Sequence, residues 1–266
     1  MKKPLRIPRL LLTNDDGFDA PGLKILAEAA AEFTDEIWII APEHDQSGVG
    51  QGITISEPLR CTPRGERRWA VSGKPADCVA MGLYHFMADA KPSLILSGVN
   101  AGGNAGDEVN LSGTIGAAFM GLMSGVPSIA LSQNFTDRTA IKWDTARAIA
   151  PKMLHHFLTH GWRKETCLSI NIPDLPPEKI TGFAWARQGQ GNLSSILVDR
   201  REDHRAGYYY WLKLMQNDVA VDGTDLGVLH RGKVSVTALG LNRSVDVREE
   251  PVIFGETVDE EENVGE

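Results

Sequence analysis

The 266-residue chain is 42% apolar and 23% charged, an ordinary balance for a protein that folds around a full core. Its net charge is −8, but residues 256–266 hold six acidic side chains and no Lys or Arg, and setting those six aside leaves −2. A nearly neutral body excludes the basic footprint of a nucleic-acid polymer binder, and no apolar run is long enough to span a bilayer.

The first buried strand is predicted at Leu10-Leu11-Leu12, where an apolar run stops abruptly at Thr13-Asn14-Asp15-Asp16-Gly17. Residues 21–33 follow with helical spacing. A second strand, 36–41, opens into a polar, glycine-rich loop at 43–52. Short β-like segments at 53–56 and 69–72 read as a hairpin pair, and 75–87 as a helix with Pro at its start. A third strand, 93–97, runs into the glycine-rich loop 98–107, and Ser112-Gly113-Thr114 leads a helix to about 124. Residues 128–132 form a fourth strand. A long helix spans 137–160, with Thr136 or Asp137 as its cap.

This alternation predicts an α/β fold with a Rossmann-like, doubly wound, mostly parallel sheet. Past Thr166 the pattern changes. Strands at 167–172, 183–187, 207–214 and 234–238, with a short helix at 223–229, read as hairpins attached to the sheet. The expected organisation is one domain over 1–255 with an arm from about 180, then an acidic disordered tail at 256–266. The N-terminus lacks the features of a secretory signal. Cys61, Cys78 and Cys167 are isolated in sequence and read as reduced thiols of a cytoplasmic protein.

The chemistry gathers in three loops that each follow a buried strand: Asn14–Gly17, Gln46-Ser47-Gly48 and 98–107. All three belong on the carboxyl edge of one sheet, where open α/β folds bind ligands. Together they offer two carboxylates, a hydroxyl and an amide oxygen, a set suited to magnesium, manganese or calcium. Read singly, each is also an ordinary polar turn. Ser112-Gly113-Thr114 at a helix start suits a phosphate, and equally a plain N-cap. There is no Gly-x-x-x-x-Gly-Lys-[Ser/Thr] phosphate loop and no Gly-x-Ser-x-Gly elbow. His44 reads as a loop residue, His155, His156 and His160 as exposed or partly packed on one helix. Asp77 reads as a cap or brace, and Tyr208–Trp211 as packing.

The stretches Leu11–Gly17 with Ala20-Pro21-Gly22, Ala41-Pro42 with Gln46-Ser47-Gly48, Glu57-Pro58-Leu59, Val71-Ser72-Gly73 with Pro75–Val79, Ser97–Asn100 with Gly102 and Asn104, Ser112–Thr114 and Gly223-Thr224-Asp225 resemble, in order, the survival protein E (SurE) family of metal-dependent 5'-nucleotidases. The resemblance covers residue 10 to about 240. It implies hydrolysis of nucleoside 5'-monophosphates to nucleoside and phosphate, with short polyphosphate as a further substrate. It assigns one divalent cation, magnesium or manganese, per subunit to Asp15, Asp16, Ser47 and Asn100, with Asp15 and Asp16 as the catalytic pair. Phosphate contacts fall on Asn14, Asn104, Ser112, Gly113 and Thr114. It also implies a C-terminal β-hairpin extension exchanged in a homodimer or homotetramer. The chain departs from the family pattern at Gln51-Gly52, Lys74 and Leu111, positions that bear on substrate preference.

The mechanism expected from these residues is attack by a metal-activated water, with Asp15 steering or deprotonating it and Asp16 acting mainly as a ligand. A covalent aspartyl-phosphate is the alternative chemistry. The rival functional readings are a nucleotide- or phosphate-binding sensor without turnover, and an interaction protein with a vestigial site.

Overall fold

The structure, a computed structural model, describes residues 5–205 and 207–244. The expected acidic tail lies outside them. In chain order the elements are β1 (Leu10–Thr13), α1 (Pro21–Ala30), β2 (Ile37–Pro42), β3 (Cys61–Gly65), β4 (Arg68–Val71), α2 (Pro75–Met81), β5 (Leu94–Ala101) and α3 (Gly113–Met123). There follow β6 (Ser128–Gln133), α4 (Trp143–His160), β7 (Thr166–Ile172), β8 (Phe183–Ala186), β9 (Leu193–Asp203), β10 (Gly207–Gln216), α5 (Asp225–His230) and β11 (Val234–Gly240). Nine strands form one sheet in the order β3-β4-β2-β1-β5-β6-β7-β11-β8. From β4 through β7 every neighbour pairs in parallel, while β3 with β4 and β7 with β11 are antiparallel. The mostly parallel sheet expected from the sequence is present.

Continuous apolar runs make these strands because both faces of the sheet are covered. Leu10 and Leu12 point into one core layer with Leu23 and Leu26 of α1 and Ile149, Leu154 and Phe157 of α4. Leu11 points the other way, to Ile95, Val79 of α2 and Ala117 of α3. Period-two alternation thus feeds two helical layers from one strand.

Several expected boundaries move. The segment 53–56 is not a strand; β4 pairs instead with β3. The Thr54 N–H donates to Asp77 Oδ1 at 2.8 Å, so a side chain takes the bond a ladder would use. The helix expected at 75–87 is α2 followed by a π-helical turn, Gly82–Phe86. A Cβ on Gly82 would lie 2.6 Å from Leu11 Cδ2, so the glycine lets this turn sit tightly on β1. Asp137 caps a short 3-10 turn, Arg138–Ala140, by accepting from Thr139 N, and α4 starts only at Trp143.

The C-terminal part is not all antiparallel: β8 joins the main sheet parallel to β11. The hairpin proper is β9 with β10, a separate two-stranded sheet. The sequence reading missed β9 because Ile196-Leu197-Val198 shows no alternation. Neither face of that strand is buried, so nothing imposes a period.

The contact between α1 and β5 is the tightest joint near the carboxyl edge. A Cβ on Gly22 would fall 1.8 Å from the Val99 carbonyl oxygen, a backbone atom that cannot swing aside. Gly22→Ala is expected to destabilise the fold by about 1–3 kcal/mol, through overpacking alone. A urea titration read by circular dichroism checks this, with an unchanged midpoint as the contrary result.

Candidate active site

β1 lies between β2 and β5, and the chain leaves it toward β2 but returns beyond it at β5. The carboxyl end of β1 is therefore the topological switch point of the sheet, where a crevice opens. Asn14, Asp15 and Asp16 occupy that end. Gly17, at φ +103°, turns the chain back in a conformation that favours glycine, and a Cβ there would lie a tight 3.3 Å from the His44 carbonyl carbon.

Hydrogen bonds join the three expected loops. The Gln46 N–H donates to the Asp15 carbonyl at 2.7 Å, and the Phe18 N–H to the Pro42 carbonyl at 2.7 Å. The Ala101 N–H donates to Asp16 Oδ2 at 2.9 Å, which fixes this carboxylate against the loop that carries Asn100. Asn100 Nδ2 donates to the Gly102 carbonyl at 2.9 Å and so turns its carboxamide oxygen the other way. Ser47 is exposed, and its hydroxyl donates to Asp45 Oδ1 at 2.6 Å.

Asp15 is 4% exposed and accepts a hydrogen bond from the Thr114 hydroxyl at 2.5 Å. Burial pushes its carboxyl up from 3.8 to about 7; the neighbouring Asp16 adds to the rise and the Thr114 hydroxyl opposes it. Asp16 is also raised, first by burial, with repulsion from Asp45 adding to it; the Ala101 N–H and the Arg138 charge pull it down. Among the described residues neither carboxylate has an ion-pair partner within 4.0 Å. Asn14 is fully buried, donates through Nδ2 to the Gly17 carbonyl at 2.8 Å, and has its Oδ1 unpartnered. Two carboxylates short of positive charge, beside an orphaned amide oxygen, a hydroxyl and a second amide, are a donor set that fits a hard divalent cation.

The first turn of α3 is pressed onto the same carboxylate. A Cβ on Gly113 would lie 2.8 Å from Asp15 Cβ, so only glycine allows this approach. Ser112 is the N-cap, accepting from the Ile115 N–H at 3.1 Å. Ser112 therefore fills the plain-cap role. Thr114 spends its hydroxyl on Asp15. Asn104 is locked in a buried network: its N–H donates to Asn171 Oδ1 at 2.7 Å and its Nδ2 to Ser132 Oγ at 2.8 Å.

The C-terminal half reaches back to hold the loop 98–107. Asp225 Oδ2 accepts from the Gly106 N–H at 2.9 Å, and Asp107 Oδ2 accepts from the Gly191 and Leu193 N–H groups at 2.8 and 3.1 Å. Asp77 braces the other flank, accepting from the Lys74 N–H at 2.8 Å as well as from Thr54. Two of the departures from the family pattern touch each other. Lys74 Cδ lies 3.1 Å from where a Gly52 Cβ would be, and Lys74 Nζ donates to Thr54 Oγ1 at 2.9 Å. The long side chain at 74 thus fills the space that the glycine at 52 leaves. Leu111 enters through its backbone, its carbonyl accepting from the Gly50 N–H at 2.9 Å.

Sequence reasoning missed Asp45, Ser132 and Asn171. Asp45-Gln46-Ser47 carries the Asp-x-Ser spacing of an Asx turn, which signals a side chain folded onto the residue two positions on. Asn171 interrupts the apolar run of β7, and a buried amide there requires a partner. His44 is exposed in its loop; His156 and His160 stack on each other on α4, at its end that leads toward β7.

A family model described as "Survival protein SurE" matches residues 10–195. The chain is 45% identical over 239 residues to a Burkholderia lata protein named 5'-nucleotidase SurE 1, covering 90% of this chain and 92% of that one. It is 44% identical over 241 residues to the 5'-nucleotidase SurE of Rhodopseudomonas palustris, covering 89% and 94%. The crystal structure of the SurE protein from Aquifex aeolicus superposes with a TM-score of 0.77 at 34% identity, over 89% of this chain and 95% of that one. A match of this extent in sequence, together with the same architecture, shows that the chain belongs to the SurE family.

Proposed function

We propose that the chain is a 5'-nucleotidase that hydrolyses nucleoside 5'-monophosphates to nucleoside and phosphate, one divalent cation assisting per subunit. The observation that carries this reading is the Asp15–Asp16 pair, short of positive charge at the switch point, with the start of α3 packed against it. The relatives named 5'-nucleotidase support the reaction class.

Asp15, Asp16, Ser47 and Asn100 hold the cation in this reading. When bound, magnesium or manganese supplies the charge that polarises the phosphate ester and makes a water more acidic. The protein's own groups do the rest. Ala101 N–H fixes Asp16 Oδ2 and Thr114 Oγ1 fixes Asp15 Oδ1, which leaves Oδ1 of Asp16 and Oδ2 of Asp15 without a side-chain partner. Asp15 Oδ2 orients the attacking water and accepts its proton. The N–H groups at Gly113 and Thr114 and the positive end of α3 stabilise charge on the phosphoryl oxygens as they become more negative. Ser112 sets that turn in place, and Asn104, held by Asn171 and Ser132, presents its carboxamide to the phosphate. Asn14 contributes by closing the turn that aims both carboxylates.

The hairpin is the assembly element of the same reading. Tyr210, Trp211 and Leu212 are 56%, 60% and 69% exposed, and Ile196 and Val198 on the facing strand are 54% and 55% exposed. A two-stranded hairpin is marginal in water by itself, so a second copy of the chain covers it. No helix among the described residues is long and apolar enough to cross a membrane. Cys61, Cys78 and Cys167 are free thiols, which supports placing the protein in the reducing cytoplasm.

Three outcomes are expected. Phosphate release from a panel of nucleoside monophosphates stops on chelation and returns with magnesium or manganese. It falls by at least about 100-fold in Asp16→Asn; release indifferent to the chelator would sink the metal reading. Stability of the metal-free protein carries the sign of the Asp15 shift. A carboxyl raised from 3.8 to about 7 makes the folded chain bind the extra proton, so its contribution is full below pH 4 and lost as pH rises through 7. Asp15→Asn is therefore expected to be more stable relative to wild type at pH 8 than at pH 5 in urea titrations. Equal differences at the two pH values would mean the shift is absent. Sedimentation is expected to show an oligomer that Tyr210→Glu with Leu212→Glu dissociates while leaving the fold intact; an unaltered sedimentation coefficient would remove the hairpin from the interface.

A further inference from the structure

Ser47 is the least protected of the four oxygen donors. It is exposed, and two glycines at positive φ, Gly48 and Gly50, follow it in the loop. A serine hydroxyl that binds a cation does so through a lone pair on Oγ, so its proton must point elsewhere. On an exposed loop that hydroxyl would rotate freely and share its proton with water.

Here the proton has one destination. Ser47 Oγ donates to Asp45 Oδ1 at 2.6 Å, and the Ser47 N–H donates to the same oxygen at 2.7 Å. One carboxylate oxygen therefore fixes both the backbone and the rotor of Ser47. The residue between them, Gln46, ties its N–H to the Asp15 carbonyl, so the turn is mounted on the residue that carries the first carboxylate.

We infer that Asp45 is a positioning residue for the cation: it accepts the Ser47 hydroxyl hydrogen bond, holds Oγ toward the site and raises cation affinity through Ser47. This rests on the reading of Ser47 as a cation ligand. Asp45 itself stays one bond removed from the metal.

The test is manganese binding to the full-length, untagged protein, by calorimetry and by the electron paramagnetic resonance signal of free Mn2+. Four variants accompany wild type: Asp45→Ala, Asp45→Asn, Ser47→Ala and the Asp45→Ala/Ser47→Ala double variant, each checked for folding by circular dichroism. Asp45→Ala is expected to weaken Mn2+ binding by about 10–100-fold, the usual cost of losing an outer hydrogen bond to a ligand. Asp45→Asn keeps an acceptor oxygen and is expected to stay within about threefold of wild type. In the Ser47→Ala background, removing Asp45 is expected to change affinity by no more than about threefold, since the hydrogen-bonded route is gone and only its charge near Asp16 remains. Equal losses in both backgrounds overturn the inference, because Asp45 would then act through its charge or as a ligand. So does an Asp45→Asn loss as large as that of Asp45→Ala, or wild-type affinity in Asp45→Ala while Ser47→Ala is defective. No Mn2+ binding to wild type, or a Ser47→Ala variant that binds as wild type does, would instead overturn the cation reading on which it stands.

Discussion

The structure depends on the cost of ending a buried strand in two adjacent carboxylates. Asp15 is 4% exposed and burial dominates its shift, so the fold places a group that prefers to be charged where charge is poorly solvated. Its neighbours relieve that cost only in part. Thr114 gives Asp15 one hydrogen bond and Ala101 gives Asp16 another. What is left over is a demand for positive charge at the centre of the carboxyl edge, and the site is built around that demand.

The surrounding architecture keeps the demand from being met by rearrangement. Gly22 and Gly113 bring α1 and α3 to distances that a side chain would forbid, and Gly17 turns the chain at φ +103° against the loop 43–52. Asp77 and Asp225 are each 1% exposed, and each spends its carboxylate on backbone N–H groups of the flanking loops. Those two acids stay structural because their negative charge is shared among amide donors. Asp15 and Asp16 have fewer such donors, and the difference separates a brace from a reactive group. The same logic explains why the C-terminal half matters to a site built on N-terminal strands. Through Asp225, Gly191 and Leu193 it holds the loop that carries Asn100 and Asn104.

Much of this was legible in the chain. Strands β1, β2, β5, β6 and β7 are continuous apolar runs because they are buried on both faces, and such runs announce themselves without context. The meeting of Asn14–Gly17, Ser47 and the 98–107 loop followed from one rule, that loops after parallel strands share an edge. Elements whose environment is unusual were not legible. β9 has no alternation because neither face is covered. The 53–56 segment looked like a strand, yet its Thr54 N–H goes to Asp77. The break before Trp143 hid inside a helical pattern because Asp137 caps a turn rather than the helix.

By itself the sequence determined the parallel core, the order of its elements and the residue types at its carboxyl edge, since burial and period are local properties that neighbouring residues record. Tertiary structure alone decided which side chain does what. That Thr114 serves Asp15, that Lys74 fills the space beside Gly52 and that Asn171 and Ser132 lock Asn104 are contacts between residues far apart in the chain. The physical reason is that a hydrogen bond is satisfied by whichever partner the fold delivers at 2.5 to 3 Å, and no spacing rule specifies that partner.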